Sequence, residues 1–383
     1  MLHQLLDYET LRLIWWGLLG ILLIAFAIMD GFDMGVAILL PFTAKTDIER
    51  RIAINSIAPV WEGNQVWFVL GGGAIFAAWP FVYAAAFSGF YGAMFLVLVA
   101  LILRPVGMKY RSKVSNPTWR SLWDWALFLG GFVPSLVFGV AFGNILQGVP
   151  FHFDDTLRIF YAGSFLDLFT PFSLICGLLS VCLFTMHGAT YLALKTQAPI
   201  APRAKMAGVR AALFTMIFFT LGWLWMKNGW VQGYRIIETA GTNAPSNPLM
   251  KSVTQESGAW LNNYGVYPWM WIAPLLGYGG ASVTAILLLK KAYGKAFISS
   301  AVAQFGVIAT AGLSIFPFIL PSSSHPDSSL TVWDASSSHM TLFLMLAAVI
   351  IFLPLILIYT AWVFRVLRGK VTEKGVLTNT QSY

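Results

Sequence analysis

Residues 11–40 read LRLIWWGLLGILLIAFAIMDGFDMGVAILL. Between Arg12 and Asp30 there is no charge at all. At 1.5 Å rise per residue, about 20 apolar residues cross a bilayer as a helix. The run is therefore a membrane span, longer than it needs to be, with Asp30 and Asp33 in its second half. Comparable apolar stretches fall at 56–79, 81–104, 122–146, 165–194, 208–227, 264–289, 295–320 and 340–364. With 11–40 they predict an all-α integral membrane protein of nine transmembrane helices. The whole chain, 1–383, reads as a single polytopic domain with no room for a sizeable soluble one.

Composition supports this reading. Charged residues make up 10% of the chain and apolar residues 58%, whereas soluble domains carry roughly 25% charge. A cytosolic globular enzyme is excluded, and so is a disordered chain. The net charge of +8 belongs to cytoplasmic loops and implies no nucleic-acid partner. With nine spans the connections alternate sides. One set, with its flanking span ends and the C-terminal tail, holds 19 of the 24 Lys and Arg; the other holds Arg12, Arg158, Lys227, Arg235 and Lys251. The bias predicts an N-terminus outside (periplasmic) and a cytoplasmic C-terminus. Asp7 and Glu9 precede the first apolar run and no small-residue cleavage site follows it, so no removable signal peptide is expected.

Ionisable groups within spans are costly and are the first places to look for function. Asp30 and Asp33, three apart, share a helix face. Two carboxylates so close in a low dielectric repel, which makes them candidates to carry a proton; the alternative is a helix that ends near Ile28 and leaves both in water. Glu62 sits in a polar stripe with Asn55, Ser56, Asn64 and Gln65. On one continuous helix, Asn55, Glu62 and Gln65 line one face, opening toward the cytoplasm as a proton-uptake path requires. The alternative for Glu62 is an interhelical hydrogen bond or a salt bridge to Arg104. Arg104, just before Pro105, is expected to snorkel to lipid phosphate. Asp124 and Asp167, near span ends, are expected to be solvated.

Of His3, His152, His187, His325 and His339, only His187 lies within a span, and one histidine cannot make a bis-His haem site. Cys176 and Cys182 are six apart, about 600° of helical rotation and about 9 Å of rise, so they cannot bridge each other. No metal-ligand spacing, Walker motif, GxSxG or HExxH occurs. GFDMG (31–35) and GVAFG (139–143) have the small-residue spacing of close helix packing. Trp15, Trp16, Trp79, Trp119, Trp123, Trp125, Trp260, Trp269 and Trp271 stand at segment ends, where interface anchors are expected. The 228–263 and 321–339 connections read as polar outside loops. From the residues alone, a secondary transporter with intramembrane carboxylates, or a membrane scaffold in which the acids only pack, competes with a proton-conducting subunit.

The ordered series of short motifs is more specific. WWGLLGILLIAFAIMDGFDMG (15–35), ERRIAINSIAPVWEGNQVW (49–67), GGGAIFAAWPFVYAAAFSGFYGAMFLVLVALILRPVG (71–107), YRSK (110–113), PSLVFGVAFGNILQGVPF (134–151), GAWLNN (258–263), FPFILPSSS (316–324), LTVWDASSS (330–338) and IYTAWVF (358–364) resemble subunit II of cytochrome bd-type ubiquinol oxidases. The resemblance runs from Tyr8 and Glu9 to Tyr383. It implies two four-helix bundles plus one peripheral helix, and a place in the respiratory chain of the bacterial cytoplasmic (inner) membrane. The complex it implies oxidises quinol and reduces oxygen to water, without pumping protons. Two b-type haems and one d-type haem are then held by subunit I, and none by this chain, which holds no metal. Partners are subunit I, membrane lipid, quinone and a small single-span accessory subunit. By resemblance, Glu62 takes the acid position of WEGNQVW, where Asp is usual, and serves proton uptake with Asp33, Asp30, Gln65 and Asn55. Trp67 and Arg104 are placed by it near oxygen entry. Val60 stands where the family often has histidine, and His187 where it has an uncharged polar residue.

Overall fold

The computed structural model describes residues 6–378; His3 lies outside them. Fourteen helices appear in that range: α1 (Tyr8–Met29), α2 (Gly31–Thr43), α3 (Asp47–Ile57), α4 (Trp61–Ala78), α5 (Pro80–Gly89), α6 (Tyr91–Tyr110), α7 (Pro117–Gln147), α8 (Pro171–Lys195), α9 (Ile200–Lys227), α10 (Asn262–Val266), α11 (Ile272–Leu289), α12 (Tyr293–Ile315), α13 (His339–Val366) and α14 (Glu373–Thr378). Starts follow local chemistry. Asn116 precedes Pro117 and its side chain accepts the Thr118 N–H at 2.8 Å, while Thr170 precedes Pro171 and accepts the Ser173 N–H at 3.0 Å. Each pairs a capping side chain with a proline where no donor is needed.

Among the described residues, eight helical segments are long and apolar enough to cross a membrane: Tyr8–Thr43, Tyr91–Lys113, Pro117–Gln147, Pro171–Lys195, Ile200–Lys227, Pro268–Leu289, Tyr293–Ile315 and His339–Val366. The expected span 56–79 is not among them. Pro59 lacks an N–H and disfavours helix at Ala58, so α3 stops at Ile57 and α4 restarts at Trp61. That leaves 18 residues, about 27 Å of helix, carrying Glu62, Asn64, Gln65 and three consecutive glycines. The 81–104 stretch is likewise divided, at Phe90 between α5 and α6.

α2 lies between α7 and α8, and glycine makes this possible. A Cβ on Gly35 would stand 1.9 Å from the Phe184 carbonyl oxygen, and one on Gly188 2.4 Å from the Gly35 carbonyl carbon. At Gly139 the same atom would meet the Cys176 carbonyl oxygen at 2.3 Å. The two small-residue motifs are therefore packing devices. α8 packs on α9 and α12, and α11 joins those two, closing a four-helix ring. α13 lies at the edge; only Leu342 and Leu346 of it are buried.

The connections contain three two-stranded antiparallel sheets: β1 (Phe151–Phe153) with β2 (Ile159–Tyr161), β3 (Gln232–Thr239) with β4 (Lys251–Ser257), and β5 (Phe318–Leu320) with β6 (Leu330–Thr331). The 228–263 and 321–339 segments are thus partly ordered as strands. Three expected interface anchors are core residues instead. Trp15, Trp79 and Trp260 are buried; Trp15 donates to the Leu342 carbonyl and Trp260 to the Leu146 carbonyl, both at 2.9 Å. Trp125, Trp269 and Trp271 are exposed, in keeping with an anchoring role. Cys176 and Cys182 are free thiols.

Candidate functional site

The first span breaks at Asp30, which follows α1 and precedes α2. Neither acid reaches water: Asp30 is 1% and Asp33 0% exposed. Arg104 of α6 meets Asp30 in a fork, Nη1 to Oδ2 at 3.0 Å and Nη2 to Oδ1 at 2.9 Å. Arg104 is itself fully buried, so it does not snorkel, and its partner is not Glu62. A bidentate ion pair offsets the desolvation of both charges, which lipid phosphate at the surface cannot do. Gly130 of α7 admits the arginine stem: a Cβ there would stand 2.8 Å from Arg104 Cγ.

Asp33, in the first turn of α2, accepts from Asn64 Nδ2 at 2.7 Å. Its other oxygen, Oδ1, is buried without a hydrogen-bond partner among the described residues. Two carboxyl groups thus face one guanidinium. Fully ionised, the cluster would hold one uncompensated negative charge in a low dielectric; one proton neutralises it. A site of this charge balance is suited to taking up and giving back a proton.

Glu62 lies on the other side of α4. It is exposed, while Asn64 is buried and Gln65 half-buried. An open groove of about 440 Å³ runs along this face, lined by Trp61, Glu62, Gln65, Val66, Val69 and Leu70. Asn55 does not join it on one helix, because α3 has ended before the turn at Pro59; its side chain donates to the Arg51 carbonyl at 2.8 Å. The single face expected for Asn55, Glu62 and Gln65 is therefore two faces of two helices. Trp67 is buried with Phe26, Ala27, Met34 and Phe184 in an apolar cluster.

Asn64 is the residue that the sequence left without a role. It stood in the polar stripe, yet only the helix restart at Trp61 decides that it, and not Glu62, points at Asp33. Asp124 also departs from expectation. It is buried and accepts from Arg50 Nη1 at 2.7 Å and Arg111 Nε at 2.5 Å, while Asp167 is exposed as expected. Outside the spans, Glu49 is held below the usual carboxylate range: burial pushes it up, but the Lys45 N–H and Arg203 outweigh burial.

The model of the cytochrome bd terminal oxidase subunit II family matches residues 11–367. The chain belongs to this family. A Haemophilus influenzae protein described as a probable cytochrome oxidase subunit 2 is 50% identical over 99% of this chain and 100% of its own. The cytochrome bd-I ubiquinol oxidase subunit 2 of Escherichia coli K12 is 48% identical over the same shares. The bd oxidase structure from Geobacillus thermodenitrificans matches with a TM-score of 0.67 at 20% identity, covering 93% of this chain and 98% of that one, which is a likeness of fold.

Members of this family serve a haem-containing complex, so the donor set of this chain matters. His187 has both ring nitrogens engaged, Nδ1 with Ser300 Oγ at 2.7 Å and Nε2 with the Ile28 carbonyl at 3.0 Å, and its ring stacks on Phe297. It is committed to packing the first span against α8 and α12. No group of three or more His, Cys, Asp or Glu suited to a metal occurs among the described residues. His187 therefore offers no free ring nitrogen to a haem iron.

Proposed function

We propose that this chain is the haem-free subunit II of a bd-type quinol:oxygen oxidoreductase, paired with a haem-bearing subunit I. In this reading it spans the bacterial cytoplasmic membrane nine times, with α4 as the ninth crossing, its N-terminus periplasmic and its C-terminus cytoplasmic. Subunit I holds two b-type haems and one d-type haem. Quinone and a small single-span subunit associate with the complex; neither is assigned residues of this chain.

The chain's own task is to conduct protons from the cytoplasm. One observation carries this: a carboxylate, Glu62, stands on a largely apolar exposed face beside Val66 and Val69. A charge facing lipid there is unfavourable, whereas a watery crevice roofed by subunit I removes that cost. Glu62 and Gln65 form the route along the groove, with Asn55 on its cytoplasmic approach. Asp33, steadied by Asn64, and Asp30, neutralised by Arg104, set the charge behind it. The transporter alternative has no support in the family.

Glu62→Gln keeps the shape and removes the titrating group. The expected result is a severalfold drop in oxidase turnover with haem spectra nearly unchanged. Wild-type turnover in that variant would sink the conduit. We place oxygen access at the apolar cluster around Trp67, with Arg104 at its polar margin. Filling it with Ala27→Leu should raise the apparent oxygen KM at unchanged haem content; an unaltered KM would remove oxygen access from this cluster.

A further inference from the structure

His152 and His325 are 173 residues apart in sequence, yet their ring centroids are 4.5 Å apart at an interplanar angle of 40°. Backbone and hydroxyl contacts bring them together. The Val149 N–H donates to the Pro321 carbonyl at 2.9 Å and the Ser323 N–H to the Val149 carbonyl at 3.0 Å. Ser324 Oγ donates to the Phe151 carbonyl at 3.0 Å, and Ser322 Oγ donates to the same oxygen. The strand carrying His152 and the loop carrying His325 are thus laced together just before the two rings.

Each ring is held by its surroundings. His152 stands opposite Phe160 in the β1–β2 register and stacks on it, at 5.4 Å and 16°. The His325 N–H donates to Ser322 Oγ at 3.2 Å, and its carbonyl accepts from the Ser328 N–H at 2.8 Å. Neither imidazole has a hydrogen bond to its ring nitrogens among the described residues, and both rings reach solvent. Two acids close in sequence each spend one oxygen on the backbone: Asp154 Oδ1 accepts from the Thr156 and Arg158 N–H groups, and Asp327 Oδ1 from the Val253 N–H.

We propose that His152 and His325 form a two-imidazole site for a late first-row divalent cation, Cu²⁺ above Zn²⁺, with water completing the coordination. Imidazole suits these ions, and copper stands highest in the stability order. Metal–nitrogen bonds of about 2.0–2.1 Å place two nitrogens about 3.4 Å apart at a tetrahedral angle. Rings with centroids 4.5 Å apart are close enough for one nitrogen of each to meet a shared ion once the side chains rotate. The bound ion clips β1 to the 321–329 loop. In the orientation proposed above, the site faces the outside, away from the proton-uptake side.

The test uses the purified oxidase complex, prepared without a polyhistidine tag and titrated with Cu²⁺ alone. Binding is followed by electron paramagnetic resonance in the wild type and in His152→Gln and His325→Gln. The expected result is one saturable equivalent with nitrogen hyperfine structure, weakened at least tenfold by either substitution. Haem spectra, which report folding, and oxidase turnover in the absence of copper should stay unchanged. The proposal is overturned if the wild type lacks a saturable equivalent, if both variants retain it, or if only one substitution weakens it, since a lone histidine would then be the ligand.

Discussion

At the residue scale, the deciding interaction is the fork between Arg104 and Asp30. Removing one member of a buried pair strands the other charge and typically costs about 3–5 kcal/mol, far more than the pair contributes net of desolvation. Arg104→Met should therefore sharply lower the thermal stability and haem content of the purified complex. Arg104→Met combined with Asp30→Leu should regain most of the stability, because neither member of the pair is then left without its partner. A double variant as unstable as the single one would show that the cluster is held together by more than this pair. Asp33 was legible in the sequence as an intramembrane acid; its engagement by Asn64 was not, since which side of α4 carries Asn64 depends on where that helix restarts.

At the element scale, short breaks do the positioning. The turn at Asp30 places both acids at the junction of α1 and α2, among side chains from α4 and α6. The turn at Pro59 separates Asn55 from Glu62 and gives Glu62 to the exposed side of α4. A proline in a polar stripe was readable, yet helical periodicity carried through it gave the wrong face. Gly130 and Gly131 show the same precision in packing. A Cβ on Gly130 would press on Arg104, and one on Gly131 would stand 2.6 Å from the Met34 carbonyl oxygen. Adjacent glycines thus let α7 approach α6 on one side and α2 on the other.

At the scale of the whole molecule, the distribution of Lys and Arg predicts which loops lie in the cytoplasm, and this is checked without activity. With the native cysteines replaced by serine, Asn243→Cys in the loop joining β3 and β4 should be labelled in intact spheroplasts by a membrane-impermeant maleimide. Ser112→Cys, between α6 and α7, should be labelled only after the membrane is opened. Equal labelling of both in intact cells, or the reverse pattern, would overturn the proposed orientation. The faces of α4, α6 and α13 leave apolar side chains exposed, Val69, Phe95 and Ile351 among them.

The sequence alone determined that this is a helical membrane protein of the bd oxidase subunit II family. Uninterrupted apolar length, scarce charge and an ordered run of local motifs are properties of the chain itself, and lipid demands them wherever the helices pack. Tertiary structure alone decided which charges pair. The match of Arg104 to Asp30, the burial of Asn64 against Asp33, and the meeting of His152 with His325 depend on contacts between segments distant in sequence, whose distances no periodicity encodes.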